Sequence, residues 1–374
     1  TSMALTTVRP QGMGFNTGRR NLIINGAMQV AQRGTSATSV STEGYKCVDR
    51  MRWTMDTTSA VFTLSQSTDV PSGQGFAKSF KAEVTTADAS LAANAQTRFE
   101  YRFEGQDLQQ LAKGTSNAKK VTLSFWVKAF QTGTYVINLQ DTDNSRLIAA
   151  TYTVDTSATW EYKTVTFAGD TSGAFTNDAN LSLVIHWYLG AGSNYTSGTL
   201  ATAWESLTNA NRAVGQTVDI ATSTSNYWAI TGIQLEVGEN ASDFEHRSFA
   251  EELALCQRYY QKIGPAADGS AANRTLYGLG FVINSSNFRP LINFPVKFRT
   301  APGAIETSGT ASHFSCSFGA DSSQALNTVP SYDIANTTSF FGGCNLSGTP
   351  LDTSEVVTLR SNHADSYLAW DAEL

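Results

Sequence analysis

The stretch Arg98–Glu104, with the sequence RFEYRFE, alternates charged and aromatic residues without interruption. Successive side chains of an extended strand point to opposite faces, so the three rings share one face and the four charges share the other. A second stretch, Lys120–Phe130 (KVTLSFWVKAF), has the same period of two, with Trp126 and Lys128 on its more polar face. Both patterns predict β-strands that bury one face, as in an antiparallel sandwich.

Similar strand-like stretches recur along the chain between turns rich in Gly, Asn and Asp. Their spacing is typical of an antiparallel β-sandwich, in which neighbouring strands are joined by short turns. The stretches span residues 60–66, 76–84, 134–140, 147–154, 160–168, 181–189 and 227–237.

The composition agrees with strands and turns rather than with long helices. The 374 residues are 41% apolar and only 16% charged, and they include 29 glycines, which argues against a coiled coil. The net charge of −6 provides no attraction to a polyanion, so we expect no nucleic acid partner. No run of 18 apolar residues occurs, and the sequence therefore predicts no membrane insertion.

One helix is clearly indicated after the last of these strands. Ser248–Glu251 (SFAE) is a capping box, in which the serine oxygen accepts a free backbone N–H of the first turn. Gly264 followed by Pro265 is a typical helix stop. We therefore predict a connecting helix over residues 247–264. Its apolar stripe needs a partner surface and consists of Phe249, Leu253, Cys256, Tyr260 and Ile263.

Three shifts in composition place a domain boundary at the end of this helix. Six of the eight prolines follow residue 264, six of the seven tryptophans precede residue 229, and a single lysine follows Lys262. We predict an N-terminal attachment arm over residues 1–20, in which Thr1 and Ser2 are an addition before Met3. The other predicted parts are a sandwich domain over residues 21–246 and a smaller C-terminal β-sandwich domain over residues 265–374.

The sequence has no recognisable catalytic constellation. It lacks nucleophile-elbow, zinc-protease, phosphate-loop and EF-hand motifs. Glu100 and Glu104 alternate with arginines, which favours ion pairing over a role in glycoside hydrolysis. We therefore predict a protein that is not an enzyme. No cysteine has the spacing of a zinc site, and a disulfide between Cys316 and Cys344 is left open.

Aromatic residues are the best candidates for binding. A sandwich that recognises sugars stacks them on exposed rings, and Trp126 lies on the polar face of an otherwise regular strand. Further rings lie in or near the long irregular segment 190–225, and binding sites are often carried on such loops. The alternative is that these rings pin the segment onto the sandwich. The candidate carbohydrate-binding residues are Trp126, Trp187, Tyr188, Tyr195 and Trp204.

Several motifs resemble those of a known family of domains. Several stretches are similar to the opening motif, closing strand and following helix of jelly-roll carbohydrate-binding-like domains in bacteriophage and prophage virion proteins. They are, in that order, residues Asn21–Thr35 (NLIINGAMQVAQRGT), Ile230–Gly238 (ITGIQLEVG) and Leu253–Lys262 (LALCQRYYQK). The similarity extends to Phe294–Pro302 and to Asp371–Leu374. It covers about residues 20–302 and the last few positions. The fold that it implies is all-β, a jelly-roll sandwich followed by the capped helix and the smaller C-terminal β domain.

The resemblance implies a tail-fibre or other virion-surface protein that recognises bacterial glycans. The expected partners are two further copies in a homotrimer, a bacterial surface polysaccharide or lipopolysaccharide, and other virion proteins bound through the N-terminal arm. The expected location is the virion surface, after assembly in the cytoplasm of a bacterial host. Jelly-roll modules of this kind often hold a structural calcium ion, for which Asn25 and Glu236 are the candidate ligands; we expect no other cofactor.

Two alternatives to a tail-fibre receptor-binding component remain open. One is a head-attached fibre or decoration protein built from the same domains. The other is a tailspike that cleaves glycans, although the sequence lacks the 20–50-residue repeats of a β-helix.

Overall fold

The computed structural model describes residues 19–265, 275–318, 322–346, 351–353 and 355–374. The predicted arm over residues 1–20 therefore lies almost entirely outside the described residues. The chain is all-β with few helices, as predicted. The first thirteen strands are β1 (Ser36–Val40), β2 (Gly44–Tyr45), β3 (Arg52–Asp56), β4 (Val61–Ser67), β5 (Ser79–Thr86), β6 (Gln96–Glu104), β7 (Val121–Ala129), β8 (Gly133–Asp141), β9 (Arg146–Val154), β10 (Glu161–Phe167), β11 (Leu181–Ala191), β12 (Glu205–Ser206) and β13 (Tyr227–Val237).

These strands form two antiparallel sheets that pack into a sandwich. The first sheet has the order β1-β4-β5-β13-β7-β10, and the second has the order β12-β9-β8-β11-β6-β3-β2. The alternation that predicted β6 is confirmed, because Phe99, Tyr101 and Phe103 are all buried in the core between the sheets. On β7, Phe125 faces the same core, while Trp126 faces outward and is half-buried.

The predicted helix begins where expected but ends early. Helix α1 (Ser193–Thr196) is a single turn, and α2 (Phe249–Gln257) follows the sandwich. The Ser248 hydroxyl accepts the N–H of Glu251 at 3.2 Å, as the capping box requires. The prediction that the helix continues to residue 264 is wrong, since residues 260–263 form a strand that pairs with the end of the chain.

The remaining strands build a second unit. They are β14 (Tyr260–Ile263), β15 (Leu276–Asn284), β16 (Asn287–Asn293), β17 (Glu306–Thr307), β18 (Phe314–Phe318), β19 (Ser322–Ala325), β20 (Ser331–Ala335), β21 (Ser339–Asn345), β22 (Val356–Ser361) and β23 (Leu368–Asp371). A seven-stranded sheet has the order β19-β18-β22-β15-β16-β21-β20, and a three-stranded sheet has the order β14-β23-β17.

The second unit has a hydrophobic core of its own. Trp370 and Phe340 lie in this core, and Ile263 packs against it, whereas Tyr259 still belongs to the core of the sandwich. The change from one core to the other therefore falls between Tyr259 and Ile263. Cys316 and Cys344 are buried free thiols of the second core.

Residues 371–374 return to the first sandwich and join the two units. Glu373 contacts the buried guanidinium group of Arg50 and lies 3.4 Å from that of Arg33. Arg102 donates to the main-chain oxygen of Leu374 at 2.8 Å. The short motif at residues 371–374, noted in the sequence, therefore forms part of the contact between the two units. In the described part of the chain, no helix has the length and apolar character needed to cross a membrane.

Candidate functional site

An open groove lies on the outer face of the first sheet, where β7, β10 and β13 are neighbours. Trp126 of β7 and Tyr162 of β10 are directly opposite each other in the strand register. Their ring centroids are 5.3 Å apart with an interplanar angle of 46°, and Tyr162 is 44% exposed. The two rings therefore form a continuous aromatic surface that is open to solvent.

The floor of the groove beside these rings consists of small and polar residues. Its volume is about 650 Å³, and Ser124 and Thr164 lie on its floor. Gly232 is also part of the floor and has a positive φ of 63° at a bulge in β13. A Cβ atom there would come within 2.6 Å of the Phe76 ring. Only glycine therefore allows both this backbone conformation and the close packing of Phe76.

Two loops form the walls, at residues 73–76 and 240–246. Glu236 holds the second wall, because its carboxylate accepts the N–H of Ser242 at 2.8 Å and the hydroxyl of the same residue at 2.6 Å. Phe244 connects the walls through an edge contact with Phe76, with ring centroids 5.0 Å apart. These contacts preorganise the groove, which lowers the cost of ordering it around a ligand.

The groove carries little charge. Among the described lining residues, Asp243 is the sole carboxylate, and His246 is the other ionisable side chain apart from the phenol of Tyr162. The remaining described lining groups are hydroxyls, amides, rings, glycines and the methyl group of Ala241. Lys128, two residues after Trp126 on β7, is paired with Asp69 at 2.7 Å. This surface can stack on an apolar plane and exchange hydrogen bonds with hydroxyl groups.

The structure separates the predicted site residues from one another. Trp126 lines the groove, whereas Trp187 and Tyr188 have no exposed surface. Trp187 lies in the core, 5.4 Å from Phe99 between ring centroids, and Tyr188 lies on the outer face of the second sheet under the segment that follows β11. The prediction that Trp187 and Tyr188 bind sugar is therefore wrong, because neither ring is accessible.

Tyr195 and Trp204 hold this irregular segment in place. Tyr195 packs against the small apolar cluster beneath it and lies 5.7 Å from the guanidinium group of Arg212. The Trp204 indole donates to the main-chain oxygen of Ala168 at 2.7 Å, and its ring packs against the core. Neither lines the groove, so the structure supports the alternative that these rings pin the segment to the sandwich.

Sequence reasoning missed Tyr162 and the aromatic wall at Phe76, Phe244 and His246. A signal for Tyr162 was present, because the strand EYKTVTF alternates and places this tyrosine on its polar face, the criterion that selected Trp126. The wall residues lie in loops without periodicity, and only the fold brings them to the groove.

The two candidate calcium ligands are engaged in other contacts. The Asn25 side-chain oxygen accepts the N–H of Val30 at 2.9 Å, and its amide donates to the main-chain oxygens of Val30 and Asp49. Both carboxylate oxygens of Glu236 accept hydrogen bonds. These oxygens are therefore already engaged by N–H and O–H donors, and a calcium site at these residues stays a prediction. No cluster of three acidic, His or Cys ligands occurs within the described ranges.

The charged face of β6 is buried beneath other parts of the chain. Glu100 is 1% exposed and lies within 3.2 Å of the guanidinium groups of Arg52, Arg98 and Arg102. Glu104 pairs with Arg258 at 2.6 Å. The ion pairing expected for these two glutamates is therefore observed.

These charges control the protonation of Glu100. Burial alone would raise the pKa of the carboxyl group, but His186 and then the guanidinium groups of Arg98, Arg102 and Arg52 lower this pKa to about 2. Burial lowers the pKa of His186 well below its usual value.

We expect this cluster to make stability depend on pH in the acid range. The folded-state pKa of Glu100 is below its unfolded value, so its stabilisation is fully present above about pH 4.5 and is lost as the pH falls towards 2. The contribution is on the order of 3 kcal/mol. Denaturant unfolding of the wild type and Glu100→Gln at several pH values tests this. The difference in free energy of unfolding between the wild type and Glu100→Gln should decrease as the pH is lowered. A difference that stays constant with pH would contradict the lowered pKa of Glu100.

Comparison with known proteins adds little to this description. No protein-family model and no curated protein matches the chain. Among solved structures, the enzymatically active domain of tailspike protein 4 of bacteriophage CBA120 is similar over 58% of this chain, with 12% identity and a TM-score of 0.30. The chain spans 21% of that tailspike domain.

Two carbohydrate-binding modules are similar at the same low level. A family 11 module of a Clostridium thermocellum cellulase matches 55% of this chain and all of its own length, with 10% identity and a TM-score of 0.27. A tandem family 22 module of Paenibacillus barcinonensis matches 92% of this chain and 99% of its own length, with 10% identity and a TM-score of 0.25. At these TM-scores, the comparisons carry no inference about function.

Proposed function

We propose that the chain binds bacterial surface glycans non-covalently in the groove at Trp126. The observation that carries this proposal is the pair of adjacent exposed rings, Trp126 and Tyr162, set beside a floor of hydroxyl groups. The C–H face of a pyranose ring fits an aromatic plane, and its hydroxyl groups match the polar floor and walls. The described residues that line the groove include no lysine or arginine, which favours a neutral sugar at this position.

We further propose that the protein is a tail-fibre or other receptor-binding component of a virion and acts as a homotrimer. A ring–sugar stack contributes on the order of 1 kcal/mol, so a single site binds in roughly the millimolar to high-micromolar range. Three linked sites on a repetitive surface raise the overall affinity without new contacts. The resemblance of residues 21–35 and 230–262 to virion proteins supports the location on a virion.

We expect Trp126→Ala to weaken glycan binding about tenfold, because it removes the larger ring and its apolar contact area. Tyr195→Ala is the matched control, since Tyr195 lies outside the groove and its loss should leave affinity unchanged. A glycan array identifies a ligand, and calorimetry with that ligand measures the affinity of each variant. Unchanged affinity of the Trp126 variant, at an unchanged melting temperature, would remove the groove from the proposal.

We propose that binding occurs without cleavage. Glycoside hydrolysis requires two carboxyl groups that flank the scissile bond, and Asp243 is the sole carboxylate among the described groove residues. Incubation of the protein with host polysaccharide should yield no new reducing ends. New reducing ends that are no longer produced by Asp243→Asn would favour the tailspike alternative.

The site of attachment is a separate question. Labelling of the protein on intact virions distinguishes attachment to the tail from attachment to the head.

A further inference from the structure

The seven-stranded sheet of the second unit exposes an unusually apolar face. Large hydrophobic side chains on β15, β16, β20 and β22 alternate with core residues and point away from the core. Each of them is between 40% and 62% exposed. We name this surface the apolar sheet face, and it consists of Leu276, Leu279, Phe281, Ile283, Leu291, Ile334 and Val356.

The strand register makes these side chains one continuous surface. Leu279 is directly opposite Leu291, which is in turn opposite Phe341 of β21, and Phe341 is opposite Ile334. This row crosses four neighbouring strands. Directly paired residues project from the same side of a sheet, so Phe281, which is opposite Val356, extends the same surface by a second row.

The apolar sheet face carries little charge. Arg289 is opposite Phe281 in the register, and its guanidinium group pairs with Asp333 at 3.1 Å. Arg360 is opposite Leu276, and its guanidinium group donates to the hydroxyl of Ser317. A surface of this kind offers few donors for sugar hydroxyl groups and only one further cation for an anionic lipid or nucleic acid. It therefore differs from the groove at Trp126 and requires an apolar partner.

The size of the face matches a protein interface. Seven side chains that each keep about half their area exposed leave roughly 700 Å² of apolar surface in water, more than the few hundred Å² that a monomer commonly exposes. A standard interface buries about 800 Å² per partner. Interfaces between identical chains are the more apolar class, and every copy of this chain presents the same apolar face.

We propose that the apolar sheet face is the surface through which copies of this chain associate. This proposal does not depend on glycan binding, since the groove lies on the other unit. Light scattering at micromolar concentration should give a multiple of the 40.2 kDa chain mass. The double variant Leu279→Lys/Phe281→Lys should be monomeric and should melt at the temperature of the wild type diluted to monomer, because both side chains are exposed in the single chain and association itself stabilises the folded chain. Phe130→Lys, which removes an exposed ring of the first unit, should leave the mass unchanged.

Thiol labelling locates the surface independently. All four native cysteines are buried, so Leu279→Cys adds one accessible thiol and Ser157→Cys provides an exposed control. Maleimide should label position 279 slowly in the associated protein and at the control rate after dilution to monomer. The proposal would be overturned if the wild type is a monomer or if the double variant still associates. It would also be overturned if position 279 is protected in a monomer, because another segment of the same chain would then cover this face. If the protein is a dimer in which position 279 is protected, this result supports the apolar sheet face as the interface and contradicts the proposed homotrimer.

Discussion

Glu373→Ala is expected to lower the free energy of unfolding by about 3–5 kcal/mol, because it leaves a buried charge without its partner. Arg50 is 1% exposed, and its guanidinium group lies 3.4 Å from the centre of the Tyr259 ring and contacts the Glu373 carboxylate. Water cannot replace that carboxylate in such a site. The contact also joins the end of the second unit to the first sandwich, so both units are affected.

Asp371→Asn is the matched control for this prediction. Asp371 pairs with Arg33 at 2.9 Å, but its side chain is 42% exposed, so the change should cost no more than about 1 kcal/mol. Chemical denaturation of the full chain measures both variants. Equal losses of unfolding free energy in Glu373→Ala and Asp371→Asn would show that Arg50 finds another partner. The prediction that the contact between Arg50 and Glu373 stabilises both units would then be wrong.

Trp187→Ala should destabilise the first sandwich by a similar amount, about 3–5 kcal/mol, because it opens a large cavity in the core. Trp187 contacts Phe99 and Phe125 through edge-on ring packing and has no exposed surface. At temperatures where the variant is still folded, its affinity for glycan should equal that of the wild type.

Trp126→Ala provides the direct comparison, since it makes the same change of side chain at an exposed position. The two variants should show opposite patterns, with stability lost at Trp187 and affinity lost at Trp126. Thermal melting together with calorimetric titration distinguishes them. If Trp187→Ala loses affinity for glycan at an unchanged melting temperature, Trp187 would have to be part of the binding site.

The groove at Trp126 and the apolar sheet face lie on different units and have different chemistry. The groove combines two rings with hydroxyl and amide groups, whereas the apolar sheet face offers aliphatic and aromatic side chains around one ion pair and Arg360. This difference agrees with separate roles in glycan binding and self-association, and each role is tested by variants that leave the other surface intact.

Local sequence patterns determined the strands and the start of the helix. The alternation in Arg98–Glu104 fixes which residues share a face, because the side-chain period of a strand is two. The capping box at Ser248 fixes the first turn of α2, since its hydrogen bond spans only three residues. An aromatic ring on a polar strand face identified Trp126 in the same way.

Contacts between distant segments decided the rest. Alternation places Trp187 and Tyr188 on opposite faces of β11 but does not reveal that the segment after β11 covers the outer face as well. The helix ends at Gln257 because residues 260–263 pair with β23, more than 100 residues further along the chain. Asn25 and Glu236 are occupied by N–H donors that only the fold brings to them. Local patterns specify the direction of a side chain, whereas burial and hydrogen-bond partners depend on which remote segment packs above it.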